Sequence, residues 1–295
     1  MTIAEAPPSA PIIDEEEAAR ARSARINRIA KWTLPSLVMA LTILFWHLRV
    51  TCDFETLCSI FSWTPIPHYV LPGPLHVWES VKEDWGLLWP AMLTTARLTV
   101  FALVLAIVGG VILAVAFTQS KWAEMSFFPY AVILQVTPVI AVAPLLQIYM
   151  GSAFAAALAC AWIVAFFPIL SNTTIGLKSA DHNLDDLFTI YGASRWQRLR
   201  FLAAPSALPF FLGGLKIAGG LALIGAVVAE FVIGRSGTGL GLASTLLEAS
   251  YRFNFGRLYA ALILISAMGI VIFAITSITS HLLLRKWHES ALKRD

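Results

Sequence analysis

The residues with the clearest capacity for specific recognition lie in one polar segment, DDLFTIYGASRWQRLRFLAAP, at 185–205. Apolar residues at i, i+3, i+4 and i+7 predict one stripe on an amphipathic helix, formed by Leu184, Leu187, Phe188 and Tyr191. Acidic residues open that helix, where negative charge suits the helix dipole, at Asp181, Asp185 and Asp186. A short helix with one apolar side and a charged beginning is therefore predicted here.

A glycine divides this segment into two helices. Gly192 permits a backbone bend that a residue with a Cβ would resist. A second short helix follows, and we expect Pro205 to end it before the next apolar run. Its apolar and basic residues are Trp196, Leu199, Phe201, Arg195, Arg198 and Arg200. The residues alone leave two interpretations open: a docking site for a soluble partner, or a helix-turn-helix lying at the lipid headgroups.

Three ionisable residues lie within apolar runs, where an uncompensated charge is costly: Arg97, Lys216 and Glu230. Lys216 and Glu230 are fourteen residues apart, which places them near one face of a helix and about 21 Å apart along its axis, with Gly220 between them. The pair either borders a solute pathway or snorkels to the membrane surfaces. Arg97 is expected to anchor a helix at the interface.

Two prolines interrupt another apolar run, at Pro138 and Pro144. Each removes a backbone donor, and the freed carbonyl groups need partners within the membrane. We therefore expect a broken helix that borders a solute pathway, with Gln135, Thr137 and Pro138 as pathway residues.

Enzymatic chemistry has little support in the sequence. It contains no GxxxxGK[ST] pattern for nucleotide phosphates and no HExxH or GxSxG pattern for hydrolysis. The GTGLG run at 237–241 follows no predicted strand, so we expect a flexible turn or a re-entrant cap. The histidines are scattered without metal-ligand spacing, and no metal is expected. Cys52 and Cys58, in an expected external segment, either form a disulfide or are two unremarkable small residues.

Composition places these residues in an integral membrane protein. Of 295 residues, 58% are hydrophobic and 13% are charged, and the mean hydropathy is +0.75. The apolar residues form blocks of roughly 17 to 27 residues without alternation, which favours membrane-spanning helices over barrel strands. The predicted fold is all-α. The net charge of +3 needs no nucleic-acid partner to explain it.

Six transmembrane helices are predicted, at about 33–50, 91–118, 127–149, 152–173, 207–233 and 258–284. With the N-terminus inside, fourteen Lys and Arg residues lie in cytoplasmic segments and five outside, which predicts that both termini are cytoplasmic. The expected organisation is a cytoplasmic tail at 1–31, a first transmembrane helix with an external segment at 32–90, a core at 91–284 with a cytoplasmic loop at 178–206, and a cytoplasmic tail at 285–295. In the fifth span, small residues that permit close helix packing recur at Gly214, Ala218, Ala222 and Ala226.

The polar segment resembles the EAA loop of bacterial ABC-importer permeases, whose pattern is E-A-A-x3-G-x9-I-x-L-P. Asp186, Gly192 and Pro205 keep that spacing without a gap, although DLF replaces EAA and LAAP replaces IxLP. Other pieces resemble the permeases for nitrate, sulfonate, taurine and thiamine-pyrimidine precursors, such as TTARLTVFALVLAIVGGVILAV at 94–115 and ALPFFLGGLKIAGGLALIGAVVAEF at 207–231. Together the pieces cover roughly 70–285.

The resemblance implies a type I ABC importer permease fold in a bacterial inner membrane, with a coupling helix that docks on a separate ATPase. The coupling residues it implies are Asp186, Leu187, Phe188, Tyr191, Gly192, Ala193 and Pro205. The implied partners are a second copy of the permease, a cytoplasmic ABC ATPase dimer and an external solute-binding protein. The chain itself is expected to bind no cofactor, because ATP and Mg²⁺ would be held by the ATPase.

The implied function is import of a small polar or anionic solute, such as a pyrimidine precursor, nitrate or sulfonate, by alternating access. An ion-coupled secondary transporter or channel is the alternative, and it would couple through Glu230 without an ATPase. A membrane-embedded enzyme is disfavoured because no paired histidines or carboxylates occur inside the predicted spans.

Overall fold

The computed structural model describes Arg22, Ala30 and residues 33–48, 50, 70–234 and 241–285. Every regular element in these ranges is helical. The chain divides into two compact units, residues 1–76 and 77–295. In the first unit, the main described element is helix α1, Thr33–Leu48.

The helices that follow form most of the second unit. In chain order they are α2 (Pro74–Glu83), α3 (Trp85–Gln119), α4 (Lys121–Val136), α5 (Val139–Met150), α6 (Ala153–Lys178), α7 (His182–Ile190), α8 (Arg195–Arg198), α9 (Ala204–Ile233), α10 (Leu242–Tyr251) and α11 (Phe255–Leu284). A π-helical turn, Leu199–Ala203, joins α8 to α9. The stretch Arg195–Ile233 is therefore one continuous helical span.

Four helices in the described ranges are long and apolar enough to cross a membrane: α3, α6, the continuous helix Arg195–Ile233 and α11. Helices α4 and α5 pass the same test only as a pair, which is bent by 104°. Counting the pair as one span gives five, and α1 is a shorter apolar helix. The predicted all-α, polytopic membrane fold is confirmed. A sixth span is compatible with the structure, although the described helices do not reach that number.

The predicted break in the third span is present between α4 and α5. Thr137 and Pro138 have extended backbones, and Pro138 has no N–H to continue the helix. The backbone N–H and the hydroxyl of Thr137 both donate to the carbonyl oxygen of Ile133, at 3.1 and 2.6 Å, where α4 ends. The chain therefore bends at the residues from which the break was predicted.

The core of the second unit is built around α6, which packs extensively against both α9 and α3. The backbones of α6 and α9 approach closely. A Cβ added at Gly214 would lie 2.8 Å from the carbonyl oxygen of Pro168, and one at Gly225 would lie 2.9 Å from the Cα of Ala161. The small residues predicted to permit close packing, Gly214, Ala218, Ala222 and Ala226, form a seam on α9. The side chains of Ala218, Ala222 and Ala226 are fully buried.

A single methyl group at Gly214 tests this packing. Gly214→Ala is expected to destabilise the protein by about 1–3 kcal/mol, because α6 and α9 must separate to admit the new Cβ. Gly213→Ala is the matched control, since a Cβ there meets nothing within 4 Å. Thermal unfolding of the purified proteins in detergent should show a lower midpoint for Gly214→Ala alone. Equal midpoints would contradict the close approach.

Candidate functional site

The polar segment folds as a helical hairpin, α7 followed by α8, which we call the coupling hairpin. Asp181 starts α7, and its carboxylate accepts a hydrogen bond from the N–H of Asn183 at 2.8 Å. Gly192 then turns the chain with a φ of +68°, a left-handed conformation that favours glycine. Ser194 and Gln197 start α8 with a reciprocal capping box. The two short helices and the bend between them are thus present as predicted.

Pro205 does not end the second helix, contrary to the sequence prediction. The chain continues from α8 through the π-helical turn into α9, and Pro205 lies in the first turn of α9. The N–H of Ala204 donates to the carbonyl oxygen of Leu199, five residues earlier, as in a π-helix. The wider turn and the position of Pro205 near the beginning of α9 explain why the helix continues, since proline is tolerated in a first turn.

Most of the predicted coupling residues meet in one concavity of about 440 Å³ within the coupling hairpin. Its lining residues are Leu187, Phe188, Tyr191, Gly192, Ala193, Gln197 and Phe201. The apolar stripe is open to the surroundings, with Tyr191 81% and Leu187 45% exposed. Exposed apolar side chains gathered in a concave surface are typical of an interaction site.

Two of the predicted coupling residues, Asp186 and Pro205, do not line this concavity. Asp186 is exposed on α7, and Pro205 is partly buried at the beginning of α9. The neighbouring Asp185 connects the two arms of the hairpin, because its carboxylate faces the Arg198 guanidinium at 3.4 Å. Both partners of this ion pair are partly exposed, so we expect a small contribution to stability.

A second polar cluster, which we call the polar junction, lies at the far end of α9. Glu230 is fully buried there, and its Oε1 accepts a hydrogen bond from the Thr95 hydroxyl of α3 at 2.8 Å. Its Oε2 accepts from the N–H of Ala243 at 3.0 Å, while Thr95 Oγ1 accepts from the N–H of Leu242 at 2.9 Å. Side chains from α3 and α9 therefore hold the beginning of α10.

Gly241 is part of the polar junction because it has no side chain. A Cβ at this position would collide with Glu230 Oε1 and Thr95 Oγ1. Ser244 adds another contact, donating from its hydroxyl to the backbone carbonyl of Glu230 at 3.2 Å. The last glycine of the GTGLG run thus permits the close approach of α10 to two spanning helices. The flexible turn or re-entrant cap expected for the whole run stays a prediction.

The predicted pathway residues occupy different environments. Gln135, Pro138 and Gly220 are exposed, and a Cβ at Gly220 would meet nothing within 4 Å. Lys216 and Thr137 are partly buried. Glu230 differs from these residues because protein groups enclose its carboxyl group. A pathway role for these residues stays a prediction.

Sequence patterns do not reveal the hydrogen-bond partners of Glu230. Thr95 lies in an apolar run, and 135 positions separate it from Glu230. Sequence patterns also do not reveal an ion pair between the starts of α3 and α11. There the Arg257 guanidinium donates to the two carboxylate oxygens of Asp84 at 2.8 and 2.6 Å. Neither pairing has a local signal in the sequence.

Cysteines and metal ligands add no further site in the described ranges. Cys160 is a free, buried thiol on α6. Cys52 and Cys58 lie outside the described residues, as do residues 237–240 of the GTGLG run. Among the residues searched, no three His, Cys, Asp or Glu side chains are grouped to hold a metal ion.

Apolar spanning helices, one broken span and a polar hairpin between two spans define a polytopic membrane protein. Residues 106–286 match the family described as "Binding-protein-dependent transport system inner membrane component", and the chain belongs to this family. The predicted class, a permease subunit of an ABC importer and not an enzyme, is confirmed by this membership.

Known proteins of the same class are similar over most of the chain. The riboflavin transport system permease protein RibX of Chloroflexus aurantiacus is 30% identical, over 91% of this chain and 96% of its own length. The formylaminopyrimidine transport permease protein ThiX of Halalkalibacterium halodurans is 33% identical, over 70% of this chain and 81% of its own. The inward-facing MetNI methionine ABC transporter has a similar fold, with a TM-score of 0.58 at 16% identity, over 68% of this chain and 98% of that one.

The Asp84–Arg257 ion pair provides a test of the structure at this end of α3. Asp84→Ala is expected to cost about 1–3 kcal/mol, because it leaves a partly buried guanidinium without its acceptors. Glu248→Ala is the comparison, since its ion pair with Arg252 is exposed and should contribute at most about 0.5 kcal/mol. Unfolding midpoints of the two variants measure the difference, and a loss in Asp84→Ala no larger than that in Glu248→Ala would show that the Asp84 pair does not stabilise the protein as described.

Proposed function

We propose that this chain forms a homodimeric permease that imports a small polar or anionic solute across the bacterial inner membrane by alternating access. A cytoplasmic ABC ATPase dimer binds the coupling hairpins and supplies the energy, with ATP and Mg²⁺ held by the ATPase. An external solute-binding protein delivers the solute. Both termini of the permease are cytoplasmic, in agreement with the distribution of Lys and Arg.

The observation that carries the proposal is the concavity of the coupling hairpin. It brings together Leu187, Phe188, Tyr191, Gly192 and Ala193, which an EAA-type loop would present to the ATPase. The concavity suits a protein partner because its apolar side chains are exposed and ordered by the caps of α7 and α8. Asp186 and Pro205 flank this surface in sequence, and we assign them to the same coupling element.

The exposed apolar side of α4 and α5 supports a second copy of the chain. Large side chains are open along both helices, at Ile133, Val136, Ile140, Ile148 and Tyr149. The broken span exposes Gln135 and Pro138 on the same pair of helices, with Thr137 partly buried. We assign this surface to the subunit contact and the solute pathway, together with Lys216 and Gly220 of α9.

Two solute classes remain candidates. The similar permeases RibX and ThiX are named for riboflavin and formylaminopyrimidine, which favours a nitrogen heterocycle. A partly buried Lys216 on α9 favours an anion instead, and more distant relatives are named for nitrate and aliphatic sulfonates. Ligand retained by the cognate binding protein on purification distinguishes the two classes.

Reconstitution tests the proposed energy source against the ion-coupled alternative. Liposomes containing the permease with its ATPase facing the lumen should accumulate solute only with ATP inside and with binding protein outside. Accumulation by the permease alone, driven by an ion gradient, would instead establish a secondary transporter and overturn the proposal.

The bend of the coupling hairpin offers a sharper test. Gly192→Val places a β-branched residue at a φ of +68°, which costs about 1–3 kcal/mol and displaces α7 from α8. We expect retention of the ATPase subunit to fall by about tenfold and solute uptake to be lost, while membrane insertion is unchanged.

Gly151→Val is the matched control for Gly192→Val. Gly151 has a similar φ of +62° and, like Gly192, open space where a Cβ would lie, but it ends α5 and lies outside the coupling hairpin. Copurification of the ATPase should survive this change. Unchanged ATPase retention and uptake in Gly192→Val would refute the coupling assignment.

A further inference from the structure

One continuous helix connects the coupling hairpin with the polar junction. Arg195–Ile233 contains 39 residues without a break, a length of roughly 58 Å. The coupling hairpin lies at one end of this helix, and Glu230 lies within one turn of the other end. The helix is therefore a continuous connection between the coupling hairpin and the polar junction.

The polar junction gives α10 a cap that its own sequence does not provide. The N-cap position is Gly241, which has no side chain to accept the first N–H groups of the helix. The N–H groups of Leu242 and Ala243 instead donate to Thr95 of α3 and Glu230 of α9. Thr95 and Glu230 are themselves joined by a hydrogen bond, so the three helices meet through one connected network.

This network is enclosed by protein. Thr95 and Glu230 are both fully buried, and Ser244 fixes the next turn of α10 to the backbone of Glu230. A buried polar group that loses its partner is costly, so separation of α10 from α9 is disfavoured as long as the network is intact.

We propose that Glu230 and Thr95 are positioning residues that make α10 move together with α9, so that a movement of the coupling hairpin reaches α10 at the opposite side of the membrane. This inference rests on the proposed function, because the movement originates at the ATPase. Glu230 acts through α10 and not by contact with solute. In this proposal Glu230, which the sequence predicted as a pathway or ion-coupling residue, joins α9 to α10 through hydrogen bonds.

The test compares variants of the polar junction in a permease reconstituted with its ATPase and binding protein. Thr95→Val removes the hydroxyl with little change in volume, and Thr95→Ser keeps it. Thr99→Val is the matched control, because Thr99 is equally buried on α3 but donates only to the carbonyl oxygen of Thr95 in its own helix. Glu230→Ala removes both acceptors of the junction.

Loss of one buried hydrogen-bonding partner is expected to lower solute uptake per ATP hydrolysed by about tenfold in Thr95→Val and at least as much in Glu230→Ala. Basal ATP hydrolysis and ATPase retention should remain at the wild-type level. Thr95→Ser and Thr99→Val should keep wild-type coupling. Equal losses in Thr99→Val and Thr95→Val would show general damage to packing and overturn the inference.

Distance measurements provide a readout that a merely structural role would not change. Spin labels at Ile190 of α7 or Ser250 of α10, both exposed, report the separation of the two copies at either end of α9. In a background without native cysteines, ATP should change both separations. In Glu230→Ala the Ile190 separation should still change while the Ser250 separation no longer follows it.

Two results of the distance measurements would contradict the inference. If the Ser250 separation responds to ATP in Glu230→Ala as it does in the unsubstituted protein, the polar junction does not transmit movement, and the proposed function stands. If ATP fails to change the Ile190 separation in the unsubstituted protein, the coupling assignment fails, and the inference fails with it.

Discussion

Close backbone contact between α6 and α9 is the constraint on which the rest of the structure depends. Because there is no space for a side chain at Gly214 or Gly225, the two helices pack against each other in one register. That register fixes the whole of α9, because the helix is continuous from the coupling hairpin to the polar junction. Dispersion contacts within an apolar core thus decide where the polar groups at both ends are placed.

Several of the polar contacts in this protein support a helix where it begins or ends. A bilayer offers no water to satisfy backbone groups, so each interruption needs a partner from the protein. Thr137 donates twice to the carbonyl oxygen of Ile133 at the break between α4 and α5, and the capping box of Ser194 satisfies N–H groups in the hairpin. Glu230 and Thr95 do the same for α10 from neighbouring helices. Each of these three sets of polar contacts lies at a point where the chain changes direction.

Local features of the sequence predicted much of this structure. The apolar blocks, the break at Pro138, the bend at Gly192 and the seam from Gly214 to Ala226 all depend on residues close together in the chain. The polar junction could not be predicted in this way, since Thr95 and Glu230 are 135 residues apart and meet only after α3 and α9 have packed. Pro205 was misjudged because a local rule, that proline ends a helix, is relaxed by the π-helical turn before it.

The π-helical turn at Leu199–Ala203 gives this helix a tolerance of length that a regular α-helix lacks. Such a turn accommodates one residue more than the α-helix around it. Deleting that residue would restore regular α-helical geometry and leave α8 close to its present direction, because a π-helical turn contains one more residue than an α-helical turn for about the same rotation. Deleting a residue from the regular part of α9 would instead rotate everything before it by about 100°. The coupling hairpin would then face a different direction although every contact residue was retained.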